Sequence, residues 1–313
     1  MAAGPRDGLE PPNQAAVHQH PPLVHDAAGC SGSRVLKVAH TLPAGSWDTH
    51  CHVFGPFARY PLATDRTYTP AAAPSERLFQ MHESIGVARA VIVHPACHGF
   101  DLTVTLDAIK ASGGRYRAVA LVKETISDGE LDACHAAGVR GVRFNFLSSL
   151  GRPPATDTIR RVCDRIARLR WHVVLHVDAG ALPALPALTS NLPLPFVIDH
   201  FGRIQAEAGM QDAAYQTLLT LAAGQNCWVK ISGADRASAE PPLYRDMIPF
   251  ARALIAAAPE RILWGTDWPH PNITGPCPRE TDLVDLLHEI VPSPDMLCKI
   301  LVDNPQRLYG EVQ

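Results

Sequence analysis

The sequence lacks two features that would mark a membrane or nucleic-acid-binding protein. No apolar run approaches the roughly 20 residues that a membrane-spanning helix needs, so we expect no membrane partner. Positive charge is not in excess, since 28 lysines and arginines stand against 31 acidic residues and the formal net charge is -3. Without a basic surface for a phosphate backbone, nucleic acid is not an expected partner either.

The eight cysteines include no CxxC pair. Scattered cysteines in a chain of this length are typical of reduced thiols in a cytoplasmic protein rather than of a disulfide framework. Cys97 precedes His98 and would be the candidate for a nucleophilic thiol. A small buried side chain is the favoured interpretation of Cys97.

Residues 1–42 are rich in proline, glycine, alanine and histidine and show no periodic apolar pattern. We expect a disordered N-terminal tail, and its lack of a continuous apolar segment argues against a secretory signal. His18, His20 and His25 could take up a stray metal ion there, but a flexible polar tail is favoured. Residues 43–313 are predicted to form one domain.

This domain shows a regular alternation of apolar strands and amphipathic helices. The predicted strands begin near residues 46, 88, 116, 139, 172, 195, 227 and 262. Continuous apolar strands separated by helices predict a parallel sheet covered on both faces, and eight such units predict a (β/α)8 TIM barrel of the α/β class. The rival fold, a doubly wound open sheet, usually has a glycine-rich turn after its first strand. Residues 50–56 (HCHVFGP) have no such turn.

Polar and ionisable residues stand where the predicted strands end. His50 and His52 are two apart on one strand, so their side chains point the same way and that of Cys51 points the opposite way. The carboxyl ends of barrel strands form the active face, and we expect the side chains there to meet in one cleft. They are His50, His52, Arg143, Asn145, His176, His200, Arg203, Asp235, Arg236 and Asp267.

Two kinds of chemistry fit these residues. In the first, His50, His52, His176 and Asp267 bind one divalent metal such as zinc, which produces hydroxide from bound water. In the second there is no metal: the histidines polarise a carbonyl group and Asp267 activates water as a general base. The residues alone leave both open.

Three arginines near one cleft indicate an anionic substrate. Guanidinium groups bind carboxylates through two parallel hydrogen bonds, so Arg143, Arg203 and Arg236 suggest a small di- or tricarboxylate. Ordinary surface ion pairing is the alternative for each of them. Arg143 stands out because strand alternation places it on the same side as Asn145.

Several motifs resemble those of the amidohydrolase superfamily, and more narrowly of the 2-pyrone-4,6-dicarboxylate lactonase group. The match extends from residue 48 to the C-terminus and leaves only the tail uncovered. The motifs that carry it are residues 48–56 (DTHCHVFGP), 66–68 (RTY), 97–99 (CHG), 143–147 (RFNFL), 198–203 (IDHFGR), 264–272 (WGTDWPHPN) and 304–309 (NPQRLY).

The resemblance implies a (β/α)8 hydrolase that opens a lactone by adding water to its ester carbonyl. Asp267 would activate the water, and His50, His52 and His200 would surround the carbonyl or a metal. Tyr68, Arg143, Arg203 and Arg236 would hold substrate carboxylates. Lactonases of this group work without a bound metal.

The sequence departs from the lactonase pattern at two positions. His176 stands where the group has tyrosine, and Ala96 where it has serine. A histidine on strand five is typical of metal-dependent superfamily members, which favours bound zinc. It also leaves muconolactone-type and sugar-acid lactones open as substrates. The alternatives are a lactone isomerase, a metal-dependent decarboxylase and, less favoured, a non-catalytic barrel that binds a small acid.

Overall fold

The computed structural model describes residues 40–151, 153–190, 192–273 and 275–310. The predicted disordered tail lies outside them except for residues 40–42, and so do the three histidines named in it. Across the described ranges no helix is long and apolar enough to cross a membrane.

Eight parallel strands in the described residues form one sheet, ordered along the chain from β1 to β8. Backbone bonds between the ends of the sheet close it into a barrel: Thr49 N–H donates to the Trp264 carbonyl and Asp267 N–H to the His50 carbonyl. The predicted (β/α)8 TIM barrel is thereby confirmed. The strands are β1 Trp47–Cys51, β2 Arg89–Val93, β3 Tyr116–Ala120, β4 Val139–Asn145, β5 His172–His176, β6 Phe196–Ile198, β7 Cys227–Lys230 and β8 Ile262–Leu263.

Helices follow the strands on the outside of the barrel. Ser127 and Glu130 form a capping box at the start of α3, which satisfies two backbone N–H groups at that helix end. The described helices are α1 Ser75–Ile85, α2 Thr103–Ala111, α3 Asp128–Ala137, α4 Thr156–Ile166, α5 Leu185–Thr189, α6 Ala213–Ala223, α7 Ile248–Ala257, α8 Glu280–Ile290, α9 Pro294–Cys298 and α10 Asn304–Tyr309.

Alternate strand residues face two separate apolar clusters. Val91, Val119 and Val174 belong to a small cluster with Trp228 and Tyr309, while the residues between them join the much larger cluster that includes the helices. The small cluster therefore fills the barrel interior, as expected for a closed barrel.

An irregularity in β1 sets the direction of the first histidine. The pairing of β1 with β2 shifts between Asp48 and Cys51, and such a bulge re-aims the side chains that follow it. As a result Trp47 and His50 both face the barrel interior, although regular alternation would separate residues three apart.

The cysteines depart from one expectation. Within the described residues six cysteines are free, and Cys97 is fully buried as expected for a small core side chain. Cys277, however, is disulfide-bonded. The prediction of reduced thiols throughout is therefore wrong at this residue.

Candidate active site

The carboxyl ends of the strands surround a cavity of about 320 Å³. This is the lower end of the range typical of small-molecule sites. Leu147, Leu150 and Pro271 give part of its wall an apolar surface. Eight of the nine predicted catalytic, metal and substrate residues line it: His52, Tyr68, Arg143, His176, His200, Arg203, Arg236 and Asp267. The ninth, His50, is fully buried beneath it.

One oxygen of Asp267 lies among three imidazole rings. Its Oδ1 is 3.3 Å from His52 Nε2, 3.7 Å from His50 Nε2 and 3.8 Å from His200 Nε2. Asp267 is only 1% exposed. The carboxylate and the histidines, far apart in sequence, can therefore act on the same small group of atoms.

The other oxygen of Asp267 is held by Arg236. The guanidinium donates from Nε to Oδ2 at 2.7 Å, and its Nη2 is 2.6 Å from the same oxygen. Nη2 also donates to the Pro271 carbonyl. Arg236, predicted to hold a substrate carboxylate, is thus bound to a carboxylate of the protein itself.

These contacts set the ionisation of the site. Burial alone would raise the pKa of Asp267, but Arg236, His200 and the other histidines hold it well below its usual range. Burial lowers the pKa of His50 to about 4 and takes those of His176 and His200 well below their ordinary value. At neutral pH Asp267 is therefore an anion beside the neutral imidazoles of His50 and His200.

Each cavity-lining histidine is fixed from behind through its Nδ1 atom. That of His52 is 2.7 Å from the Val93 carbonyl oxygen, that of His200 is 3.0 Å from Ser232 Oγ, and that of His176 is 3.2 Å from Asn145 Oδ1. A carbonyl oxygen can only accept, so His52 donates a hydrogen bond from Nδ1 to Val93.

The donor atoms fit a divalent metal by type and spacing. One ligand atom each from His50, His200 and Asp267 lies within 4.8 Å of the other two. Nε2 of His50 has no hydrogen-bond partner among the described residues. Imidazole and carboxylate are common zinc ligands. His176, predicted as a ligand, is not in this group of three.

Two of the cavity arginines remain able to meet an anion. Arg143 projects from β4 and donates from Nη2 to the His94 carbonyl at 3.0 Å, while its buried Nε has no partner in the described chain. Arg203 ends a turn after β6 in which His200, Phe201 and Arg203 all have positive φ. Such backbone conformations are costly and concentrate at functional sites. Tyr68 supplies a hydroxyl to the same cavity.

Two charged residues beneath His50 were missed by sequence reasoning. Lys230 and Asp199 are both fully buried, and Lys230 Nζ lies 3.0 Å from Asp199 Oδ1. The same Nζ is 3.2 Å from His50 Nδ1. A lysine at the end of the otherwise apolar strand β7 was the signal that could have found them, since lysine is almost never fully buried without a partner.

A buried network behind β1 supports His50 and the segment before Asp267. Asp48 accepts bonds from His50 N–H at 2.9 Å, from Thr266 N–H at 3.1 Å and from Thr266 Oγ1 at 2.5 Å. Its Oδ2 is also 3.0 Å from His82 Nε2. One carboxylate therefore ties β1 to the residue next to Asp267.

Gly265 lets these two segments approach each other. A Cβ atom built there would lie 2.6 Å from His50 N and 2.9 Å from Asp48 Oδ1. No real side chain tolerates such contacts, so the residue between Trp264 and Thr266 must be glycine.

A larger cavity, about 980 Å³, opens at the other end of the barrel. Two of its arginines are engaged structurally: Arg261 donates to the Cys227 and Ala222 carbonyls, and Arg307 pairs with Glu260. It contains no paired carboxylate and histidine set comparable with Asp267 and its neighbours. The smaller cavity is therefore the candidate active site.

Comparison with known proteins gives independent evidence on the family to which the chain is related. A family model described as amidohydrolase matches residues 47–310. A 2-pyrone-4,6-dicarboxylate hydrolase of Comamonas testosteroni is 44% identical over 282 residues, which cover 87% of this chain and 92% of that protein. A 4-sulfomuconolactone hydrolase of Hydrogenophaga intermedia is 40% identical, with 87% and 90% covered.

A solved structure resembles the fold at similar coverage. It is a probable 2-pyrone-4,6-dicarboxylic acid hydrolase of Acinetobacter baumannii with citric acid bound. The TM-score is 0.74 and the sequence identity 28%, over 85% of this chain and all of that one.

Proposed function

This chain belongs to the amidohydrolase family, and we propose that it is a lactonase, a hydrolase that opens the ester bond of a carboxylated lactone. The relatives at 40–44% identity are named as hydrolases of 2-pyrone-4,6-dicarboxylate and 4-sulfomuconolactone. The observation that carries the proposal is Asp267 Oδ1 within 3.8 Å of three histidine nitrogens, in a cavity that arginines line.

Hydrolysis requires a base for water and a donor for the carbonyl oxygen. Asp267 is ionised at neutral pH and accepts a proton as the water oxygen attacks the ester carbon. An imidazole N–H stabilises the negative charge that develops on the carbonyl oxygen. The ring C–O bond then breaks, and the leaving oxygen takes up the proton to give a hydroxy acid or its keto form.

Substrate anchoring is assigned to Arg143, Arg203 and Tyr68. The two guanidiniums are shaped to bind carboxylates, and the cavity places them beside Asp267 rather than at the surface. Arg236 contributes chiefly by holding Asp267. The proposed substrate is a small anionic lactone.

A divalent metal, when bound, would polarise the carbonyl and lower the pKa of water. His50, His200 and Asp267 would hold it, with His52 beside Asp267. His176 would then face the substrate with its Nε2, which has no partner within the described residues. The metal-free route uses the same side chains in the roles given above.

The test is a panel of lactones assayed by base uptake and ring absorbance. We expect turnover of 2-pyrone-4,6-dicarboxylate or a carboxylated muconolactone, with one proton released per ring opened, and little turnover of an uncharged lactone of similar size. Turnover of a sulfonated muconolactone would show whether the arginines also accept a sulfonate in place of a carboxylate. Carbon dioxide release would indicate a decarboxylase, and conversion without proton release would indicate an isomerase; either result would contradict the proposal.

A further inference from the structure

Lys230 approaches His50 from the side opposite to the substrate cavity. It lies at the end of β7, it is fully buried, and its Nζ is 3.2 Å from His50 Nδ1. An ammonium group has three hydrogens to donate and no lone pair to accept with. A hydrogen bond between these two atoms therefore requires a lone pair on Nδ1.

The proton of a neutral imidazole then has only one place to go. If Nδ1 accepts, Nε2 carries the hydrogen. His50 Nε2 lies 3.7 Å from Asp267 Oδ1 and has no hydrogen-bond partner among the described residues. This N–H is available for the oxygen of a bound substrate.

Asp199 presents the opposite choice to the same nitrogen. Its Oδ1 is 3.3 Å from His50 Nδ1, and a carboxylate would accept a hydrogen from Nδ1 and leave Nε2 with a lone pair. Within the described chain, however, neither oxygen of Asp199 accepts a hydrogen bond by geometry. Asp199 instead forms an ion pair with Lys230 at 3.0 Å, and this contact opposes the lowering of the lysine pKa by burial.

We propose that Lys230 is a positioning residue that fixes the proton of His50 on Nε2, which makes His50 a hydrogen-bond donor to the substrate and weakens it as a metal ligand. Metal-binding histidines donate their second ring nitrogen to a carboxylate, a carbonyl or water, and here an ammonium occupies that place. His52 contrasts with His50, since its Nδ1 faces the Val93 carbonyl, which can only accept, rather than an ammonium group.

One buried lysine therefore decides whether His50 favours the metal-dependent or the metal-free route. With Lys230 present, His50 donates and the metal-free route is favoured at this histidine. Without it, Asp199 is free to accept from Nδ1, and His50, His200 and Asp267 become a more complete ligand set. The role toward the substrate rests on the proposed lactonase function; the position of the proton does not.

The first experiment locates the proton on wild-type protein. Long-range 1H–15N correlation spectra of metal-free protein labelled at histidine, with His50 assigned through its loss in His50→Gln, distinguish the two ring nitrogens. We expect protonated Nε2 and unprotonated Nδ1. A protonated Nδ1 in the wild type would overturn the proposal, and no lactone is needed for this measurement.

The second experiment measures zinc affinity by competition with a chromophoric chelator, using the metal alone. We expect Lys230→Met to bind zinc at least tenfold more tightly than the wild type, Lys230→Arg to stay near the wild type, and the surface variant Lys110→Met to be unchanged. Equal zinc affinity in Lys230→Met and the wild type would contradict the proposal.

A double variant controls for folding. Lys230→Met leaves Asp199 without its counter-charge, so Lys230→Met/Asp199→Asn removes both charges together. In the double variant the amide oxygen of the new asparagine can still accept a hydrogen bond from His50 Nδ1. We therefore expect the His50 proton to move to Nδ1. A proton that stays on Nε2 in a folded double variant would show that Lys230 does not control it.

Discussion

Arg236 holds Asp267 through two nitrogens, with Nε 2.7 Å and Nη2 2.6 Å from the same carboxylate oxygen. The opposite oxygen is left for the histidines and the reacting water. The pair is almost fully buried, with the side chains 9% and 1% exposed, so solvent screens it weakly. The arginine therefore keeps the proposed base ionised in a cavity where burial alone would favour its protonated form.

Arg236→Met is expected to move the acid limb of the pH profile of kcat/KM to higher pH. The reason is that Arg236 lowers the pKa of Asp267, so the pKa rises when the guanidinium is removed and a higher pH is needed to ionise the carboxylate. The measurement is kcat/KM against pH. Arg59→Met, at an exposed ion pair with Asp107, is the control and should leave the profile in place. A superimposable Arg236→Met profile would contradict this role.

Asp267→Asn is expected to abolish useful turnover while preserving the fold. Asparagine has nearly the same shape but cannot accept the proton of water, and the loss of a general base typically slows catalysis by about 100- to 10,000-fold. Steady-state rates give the effect, and circular dichroism with a thermal melt controls for folding. A variant that retains most of its rate would exclude Asp267 as the base.

Arg143→Met is expected to raise KM for a carboxylated lactone far more than for an uncharged one. Loss of a hydrogen bond to a charged group costs about 1.5–3 kcal/mol, which corresponds to roughly 10- to 100-fold in binding. Comparison of the two substrates with the same variant separates anchoring from general damage to the cavity. Equal increases for both would rule out the anchoring role.

The sequence predicted the fold and part of the site where a geometric rule links a residue's place in a strand to the direction of its side chain. Continuous apolar runs predicted all eight strands, and the active-face rule of barrels brought His50, His200 and Asp267 together although they are far apart in the chain.

Contacts between side chains could not be predicted in the same way. No pattern in the sequence indicated that Arg236 binds Asp267 rather than a substrate, because both partners are carboxylates. Lys230 and Asp199 meet inside the barrel because β6 and β7 are neighbours, but which buried charge pairs with which depends on rotamers. The bulge in β1, which turns His50 inward, also leaves no mark in the residue pattern.

Acidification below neutral pH is expected to destabilise the fold through its buried histidines. Burial lowers the pKa of His94 to about 3 and that of His50 to about 4, whereas the unfolded chain has ordinary values near 6.5. Between these limits the unfolded state binds more protons, so the free energy of unfolding falls as pH falls, by about 1.4 kcal/mol per pH unit for each such histidine.

Urea unfolding at pH 7, 6 and 5 checks this expectation. His94→Gln should reduce the slope of unfolding free energy against pH, since one titrating group is lost. Stability that stays constant between pH 7 and 5 would show that these histidines are not held neutral in the folded protein.

Asp48→Asn tests whether the network behind β1 serves the chemistry or only the fold. The amide can no longer accept all the bonds that the carboxylate takes from His50, Thr266 and His82, and an unsatisfied buried polar group costs about 1–3 kcal/mol. We expect a lower free energy of unfolding together with a lower kcat, because Asp48 holds the backbones of His50 and of the residue before Asp267. KM for an anionic lactone should change little, since Arg143 lies on β4 and Arg203 in the turn after β6. Asp107→Asn, at the surface pair with Arg59, is the matched control. Loss of stability with an unchanged kcat in the folded fraction would confine Asp48 to a structural role, because it would mean that His50 and Asp267 keep their relative positions without it.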